Sequence, residues 1–129
     1  MAYELVWEPR GKITRYTGII SDDDILRAIQ TTTADPRFES LEYQIADFSD
    51  ADTIVVSSET IRSTASLDRE ASLRNPKIRV AIVGHEQALL GLANMYRIYF
   101  ELDGGTWQQE QFKTLEEARA WLGIADPSE

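Results

Sequence analysis

Ile78-Arg79-Val80-Ala81-Ile82-Val83-Gly84 is the segment from which the architecture of this chain can be read outward. It is short, rich in β-branched residues and mostly apolar, and turn signals stand on both sides, Asn75-Pro76 before it and Gly84 after it. A strand without polar alternation is covered on both faces, so this one reads as a central strand. Upstream, Ser57 or Ser58 caps a helix running to about Arg74, with Ile61, Ala65, Leu67 or Asp68, and Ala71 tracing its inner face. Downstream, Leu89, Leu92, Tyr96 and Tyr99 recur at three- and four-residue intervals, joined by Ala88, Met95 and Phe100, and mark Glu86 to Glu101 as the principal packed helix. Gly91 within it costs about 1 kcal/mol against alanine, which reads as close backbone packing in preference to a contact site.

Further out, Asp103-Gly104-Gly105 turns the chain toward a last strand, Trp107 to Phe112. Thr114 and Glu117 have capping-box spacing, Leu115, Ala118, Trp121 and Leu122 give the final helix an apolar side, and Gly123 ends it. On the N-terminal side, Leu41, Tyr43, Ile45 and Phe48 lead through a third strand into the polar run Asp47 to Thr60, read as a strand-to-helix connection. Before that, Tyr3 to Trp7 and Lys12 to Tyr16 form a hairpin around Pro9-Arg10-Gly11, with Tyr3, Leu5 and Trp7 on one face. Ser21 caps a helix whose first turn holds Asp22, Asp23 and Asp24, whose inward stripe is Ile25, Ala28 and Ile29, and which Asp35-Pro36 stops.

The order β-β-α-β-α-β-α-β-α predicts an α/β domain: a mixed four- or five-stranded sheet with about four packed helices, and two βαβ crossovers linking the third, fourth and fifth strands. At 129 residues and 43% hydrophobic content the chain buries one core, so residues 1–124 are expected as a single domain and 125–129 as a flexible tail.

Composition narrows the chemistry. Twenty-two acidic against thirteen basic side chains give a net charge of −9, and no Lys/Arg cluster overcomes that field to attract nucleic acid. Cysteine is absent, which removes disulfides, thiol nucleophiles and thiolate metal sites. No signal segment opens the sequence and its apolar runs are too short for a bilayer, so no integral membrane segment and a cytoplasmic location are expected. The glycines form no phosphate-binding fingerprint, the aspartates no EF-hand, and adjacent helical carboxylates such as Asp22 to Asp24 diverge rather than converge on a cation. Neither a cofactor nor a metal is expected. His85, between the central strand and the main helix, lacks an evident orienting partner and suits a turn or a partner contact. Ser57 and Ser58 stand at a helix start, where the simplest role of a hydroxyl is a cap; phosphorylation there adds about −1.5 to −2 charge beside free amides.

Five segments together resemble the SpoIIAA-like branch of the STAS-like domains, bacterial relatives of anti-sigma-factor antagonists. They are Asp35-Pro36-Arg37-Phe38, Tyr43-Gln44-Ile45-Ala46-Asp47, Val80-Ala81-Ile82-Val83, Gly91-Leu92-Ala93-Asn94-Met95-Tyr96 and Glu116-Glu117-Ala118-Arg119-Ala120-Trp121-Leu122, and the likeness spans most of residues 3–122. In the antagonists an Asp-Ser-Ser-Gly motif carries a serine phosphorylated by a partner kinase. The nearest match is Val56-Ser57-Ser58-Glu59, which sets Ser57 at the implied phosphoacceptor, with Val56 and Glu59 departing from the flanking Asp and Gly.

The leading expectation is a non-enzymatic regulatory domain that meets an unidentified protein partner and is switched by charge or ligand near Ser57. Asp47, Ser49, His85, Tyr96, Tyr99 and Trp107 are its candidate ligand or partner contacts. A small-molecule or lipid-binding module is the alternative, with Tyr96, Tyr99 and Trp107 lining an apolar cleft. A small enzyme using His85, Glu86 and Asp47 is a third reading, since open α/β sheets place sites at strand ends. A small sheet with an open edge also suits a homodimer.

Overall fold

The computed structural model describes residues 2–125. All of the expected tail but Ala125 lies outside them. The elements run β1 (Tyr3–Trp7), β2 (Gly11–Ser21), α1 (Asp22–Ala34), a 3-10 turn (Pro36–Ser40), β3 (Tyr43–Val55), α2 (Ser58–Arg74), β4 (Arg79–Val83), α3 (Gln87–Leu102), β5 (Gln108–Phe112) and α4 (Leu115–Leu122). The strands of this one sheet lie in chain order; β1 pairs antiparallel with β2, and every later pair is parallel.

Local chemistry sets most of these boundaries. The Ser21 hydroxyl accepts from the Asp24 amide while the Asp24 carboxylate accepts from the Ser21 amide, a reciprocal cap that starts α1. Asp35 extends the backbone before Pro36 and accepts from the Arg37 amide, closing α1 and opening the 3-10 turn. Thr114 caps α4, and Gly123, at φ 70°, ends it in the left-handed region.

The structure departs from the sequence-based expectations in four respects. β2 continues five residues beyond Tyr16, to Ser21, and β3 runs straight through the polar stretch expected to be a connection, ending only at Val55. β4 covers β3 only from Tyr43 to Asp47, so beyond that point β3 pairs with β2 alone, with register shifts near Tyr16 and Gly18. Ser49, Asp50 and Asp52 are exposed there, and polar side chains on a two-stranded projection face water, not a core. Because β2 and β3 are parallel, α1 makes a third crossover in addition to the two expected. Gly91 is exposed on α3, and an added Cβ would meet nothing within 4 Å, so close packing does not account for it.

Two layers of helix cover the sheet. On one face Ile13, Ile45, Ala81 and Val83 pack with Ala118 and Leu122 of α4. On the other, α1 packs with Tyr16 and Ile20, while α2 and α3 enclose Phe38, Val80, Phe100 and Trp107. Helix α2 contacts chiefly α1 and α3 rather than the strands. It therefore roofs a space whose floor is the sheet.

Candidate functional site

Between that roof and floor lies a partly open cavity of about 130 Å³. Its floor follows from strand alternation, which turns Lys12, Thr14 and Tyr16 of β2, Gln44, Ala46 and Phe48 of β3, and Val80 and Ile82 of β4 toward the same side. Register arranges them in rows: Lys12 beside Gln44 beside Val80, then Thr14 beside Ala46 beside Ile82. Beyond these, the Tyr16 and Phe48 rings stack with centroids 4.4 Å apart. The floor thus grades from polar to apolar along the strands. Thr64 and Asp68, four residues apart on α2, look down from the roof, and Tyr96 closes the side from α3.

Lys12 is 3% exposed, and its Nζ donates to Thr32 Oγ1 at 2.7 Å. The Thr32 hydroxyl in turn donates to the Ala28 carbonyl at 2.8 Å. Tyr96 donates its hydroxyl proton to Asp68 Oδ2 at 2.5 Å. Burial lowers the Lys12 ammonium from 10.5 to about 7, against the attraction of Asp68. Burial also pushes the Asp68 carboxyl from 3.8 up to about 6, against the Tyr96 hydrogen bond and the Lys12 charge. By surface area the whole Asp68 residue is half-buried, part of that surface facing the cavity; its carboxylate is enclosed by protein, and desolvation governs its titration. The Tyr96 hydroxyl is raised by burial first and by Asp68 second. The two opposite charges attract through the site, and Lys12–Asp68 is not among the direct ion pairs of the described residues.

A void of this size forfeits about 3 kcal/mol of packing at ~24 cal/mol per Å³, and a buried ammonium adds a desolvation cost to it. Neither feature favours the folded state, which separates this region from the rest of the core. A contrasting buried pair, Glu8 with Arg119, has an evident structural task. It joins the β1–β2 turn to α4 at 2.7 Å, and Glu8 also accepts from the Tyr43 hydroxyl. A second depression, lined by Arg10, Glu42, Lys77 and Arg79, is shallow in chemistry because Arg10 already pairs with Glu42, and Arg79 donates to the Trp121 carbonyl.

The sequence-derived candidates do not converge on one place. Tyr96 and Trp107 line the cavity, although the Trp107 indole is spent on the Asn75 carbonyl at 2.7 Å and its ring stacks with Phe100. Tyr99 is half-buried outside it, beneath the Arg62 guanidinium. Within β3, beside the last residue of β4, Asp47 accepts from both the amide and the hydroxyl of Ser49, at 3.0 and 2.6 Å, local bonds that occupy the carboxylate. His85 is exposed just past β4.

Ser57 and Ser58 are exposed at the start of α2. Ser57 is the N-cap, its hydroxyl accepting from the Thr60 amide at 3.2 Å, and Ser58 is the first helical residue. The Ser57 amide donates to Asp22 Oδ1 at 2.8 Å, which ties the starts of α1 and α2 together.

Lys12, Gln44, Thr64 and Asp68 are not among the functional candidates that the sequence offers, although Asp68 is an alternative to Leu67 on the inner face of α2. The available signal was a lysine on the alternating face of β2, with Thr64 and Asp68 at the apolar-stripe spacing of α2. Among the described residues, no group of three or more His, Asp or Glu is placed to hold a metal ion, and no helix is long and apolar enough to cross a membrane.

No family model and no curated protein matches the sequence. Solved structures do. The anti-sigma-factor antagonist SpoIIAA in its unphosphorylated form superposes with a TM-score of 0.58 at 15% identity, over 95% of this chain and 98% of that one. The phosphorylated form of SpoIIAA from Bacillus, described as a cell-fate determinant, gives 0.58 at 16% identity over 94% and 99% of the two chains. An uncharacterised protein of Shewanella loihica with a SpoIIAA-like fold gives 0.53 at 16% identity, over 94% and 92%. The chain has the SpoIIAA-like, STAS-like fold.

Proposed function

We propose that this chain is a non-enzymatic regulatory domain that docks a protein partner at the α1–α2 end, with Ser57 as its charge switch. The observation that carries this reading is Ser57 itself: exposed, capping a 17-residue helix, and bound through its amide to Asp22. The fold is shared with an antagonist solved in both phosphorylated and unphosphorylated forms, which supports the same reading. A phosphate on Ser57 gains the free amides at the positive end of α2 and faces the carboxylates of Asp22 and Glu59. Repulsion then loosens the Asp22 tether and changes both the charge and the alignment of the two helix starts. Val56 and Glu59 replace the flanking residues of the antagonist motif, so the modifying enzyme reads a different local surface.

The test compares wild-type, Ser57→Ala and Ser57→Glu chains as baits in native lysate, with phosphopeptide mapping of the chain recovered from cells. The expected result is a reproducible partner retained by Ser57→Ala and lost or gained with Ser57→Glu, and phosphate located on Ser57. Identical recoveries for all three baits, with no phosphate at Ser57, sink the proposal.

A further inference from the structure

We infer that the cavity beneath α2 binds a small uncharged amphiphile, an alcohol whose hydroxyl sits among Lys12, Thr64 and Asp68 and whose hydrocarbon lies toward Phe48 and Leu89. This site stands apart from the Ser57 reading and does not depend on it.

Unspent hydrogen-bonding capacity locates the head. Thr64 is 7% exposed, lines the cavity, and its Oγ1 has no hydrogen-bond partner. An orphaned buried hydroxyl is uncommon in native proteins and points to a partner supplied from outside. Lys12, equally enclosed, directs one hydrogen bond to Thr32, while an ammonium has three donors. Asp68 receives the Tyr96 hydroxyl on Oδ2, which leaves Oδ1 as an acceptor. The site therefore offers donors and acceptors together.

Charge selects among possible heads. An anionic head would meet the Asp68 carboxylate and a cationic one the Lys12 ammonium, in a region where solvent screens little. A hydroxyl accepts from Lys12, donates to Asp68 or Thr64, and adds no charge to a pair that is already balanced. The remainder of the ligand follows from the floor, which passes from Lys12 and Gln44 through Ala46 and Ile82 to the stacked Tyr16 and Phe48. Size follows from the volume of about 130 Å³. An apolar cavity of ~150 Å³ takes benzene, with six heavy atoms, so the enclosed part of the occupant has on the order of five or six heavy atoms, and the open side of the cavity leaves room for the end of a slightly longer chain.

The experiment titrates the isotopically labelled chain with 1-hexanol, hexanoate, hexylamine and benzene, followed by amide chemical shifts and calorimetry. One hexanol per chain is expected, with shifts centred on Lys12, Gln44 and Thr64 and affinity about tenfold above that of hexanoate or hexylamine, the scale of one or two buried hydrogen bonds. The isosteric Thr64→Val chain weakens hexanol about fivefold or more while keeping its benzene affinity. Ala46→Leu, which fills the floor without touching the polar end, abolishes both; its folding is checked by circular dichroism. No saturable shift with any of the four probes means a hydrated void and overturns the inference. Equal affinity for benzene and hexanol also overturns it, as does tighter binding of hexanoate or a Thr64→Val chain that binds hexanol as well as the wild type.

Discussion

Replacing Lys12 by methionine tests whether the buried charge beneath α2 shapes the stability of the whole domain. In the folded chain the ammonium titrates at about 7, against 10.5 when solvated. Below pH 7 both folded and unfolded chains carry the proton, and the full cost of burying it is present. Above 7 the folded chain has released a proton that the unfolded chain still holds, so stability rises with pH, by at most about 1.4 kcal/mol per pH unit. Between pH 7 and about 9.5 this amounts to about 3 kcal/mol. Stopping there avoids Tyr16, Tyr43 and Tyr96, all raised above 10 with burial as the leading cause, whose own contributions fall away in stronger alkali. Asp68 behaves oppositely: its folded value of about 6 lies above 3.8, so stability from this group is lost as pH rises through that interval. The pair is most costly between about pH 6 and 7. Methionine fills nearly the same volume without a charge, and the expected gain at pH 6.5 is about 1–4 kcal/mol, as when other buried charges are replaced by apolar side chains. Loss of the cation also pushes Asp68 further up, which steepens the variant's decline toward neutral pH and adds to the divergence in the same direction. Urea unfolding of both proteins at pH 6.5, 8 and 9.5 measures the difference. The advantage of Lys12→Met should shrink by about 3 kcal/mol across that range. Parallel stability profiles, or a variant less stable by more than about 2 kcal/mol at pH 6.5, would mean that the Lys12 charge does not burden the folded state.

Glu8→Gln removes the carboxylate that accepts from both the Arg119 guanidinium and the Tyr43 hydroxyl, and should lower unfolding stability by about 1.5–3 kcal/mol, measured in urea. Gly91→Ala, exposed and inside α3 with open space for a methyl group, should raise stability by about 0.8–1 kcal/mol in the same assay. Gly11→Ala has the reverse outcome, because the new Cβ falls 2.3 Å from the Tyr43 ring; a cost of about 1–3 kcal/mol is expected, and a neutral result would mean the ring moves freely. Ser57→Ala should cost about 1 kcal/mol by removing the α2 cap, and Ser57→Asp, which still caps, should recover most of it in thermal unfolding.

Short-range chemistry along the chain fixes where the helices of this protein start and stop. Ser21 with Asp24, Asp35-Pro36, and Thr114 with Gly123 start and stop helices because their side chains or dihedral limits act within a few residues. The apolar run Val80–Val83 within β4 marks a covered strand because burial on two faces demands it. Ser57 was legible as a helix start for the same local reason, though its hydrogen bond to Asp22 was not. Tertiary structure decided the rest. Polar residues from Ser49 to Asp52 look like a loop, and only pairing with the long β2 makes them a strand. The cavity is assembled from β2, β3, α2 and α3, and a lysine, a threonine and an aspartate read as ordinary strand or helix positions until the fold encloses them. Desolvation and charge coupling depend on what surrounds a group in space, so the chemistry of Lys12 and Asp68 exists only once α2 stands off the sheet and roofs the space between.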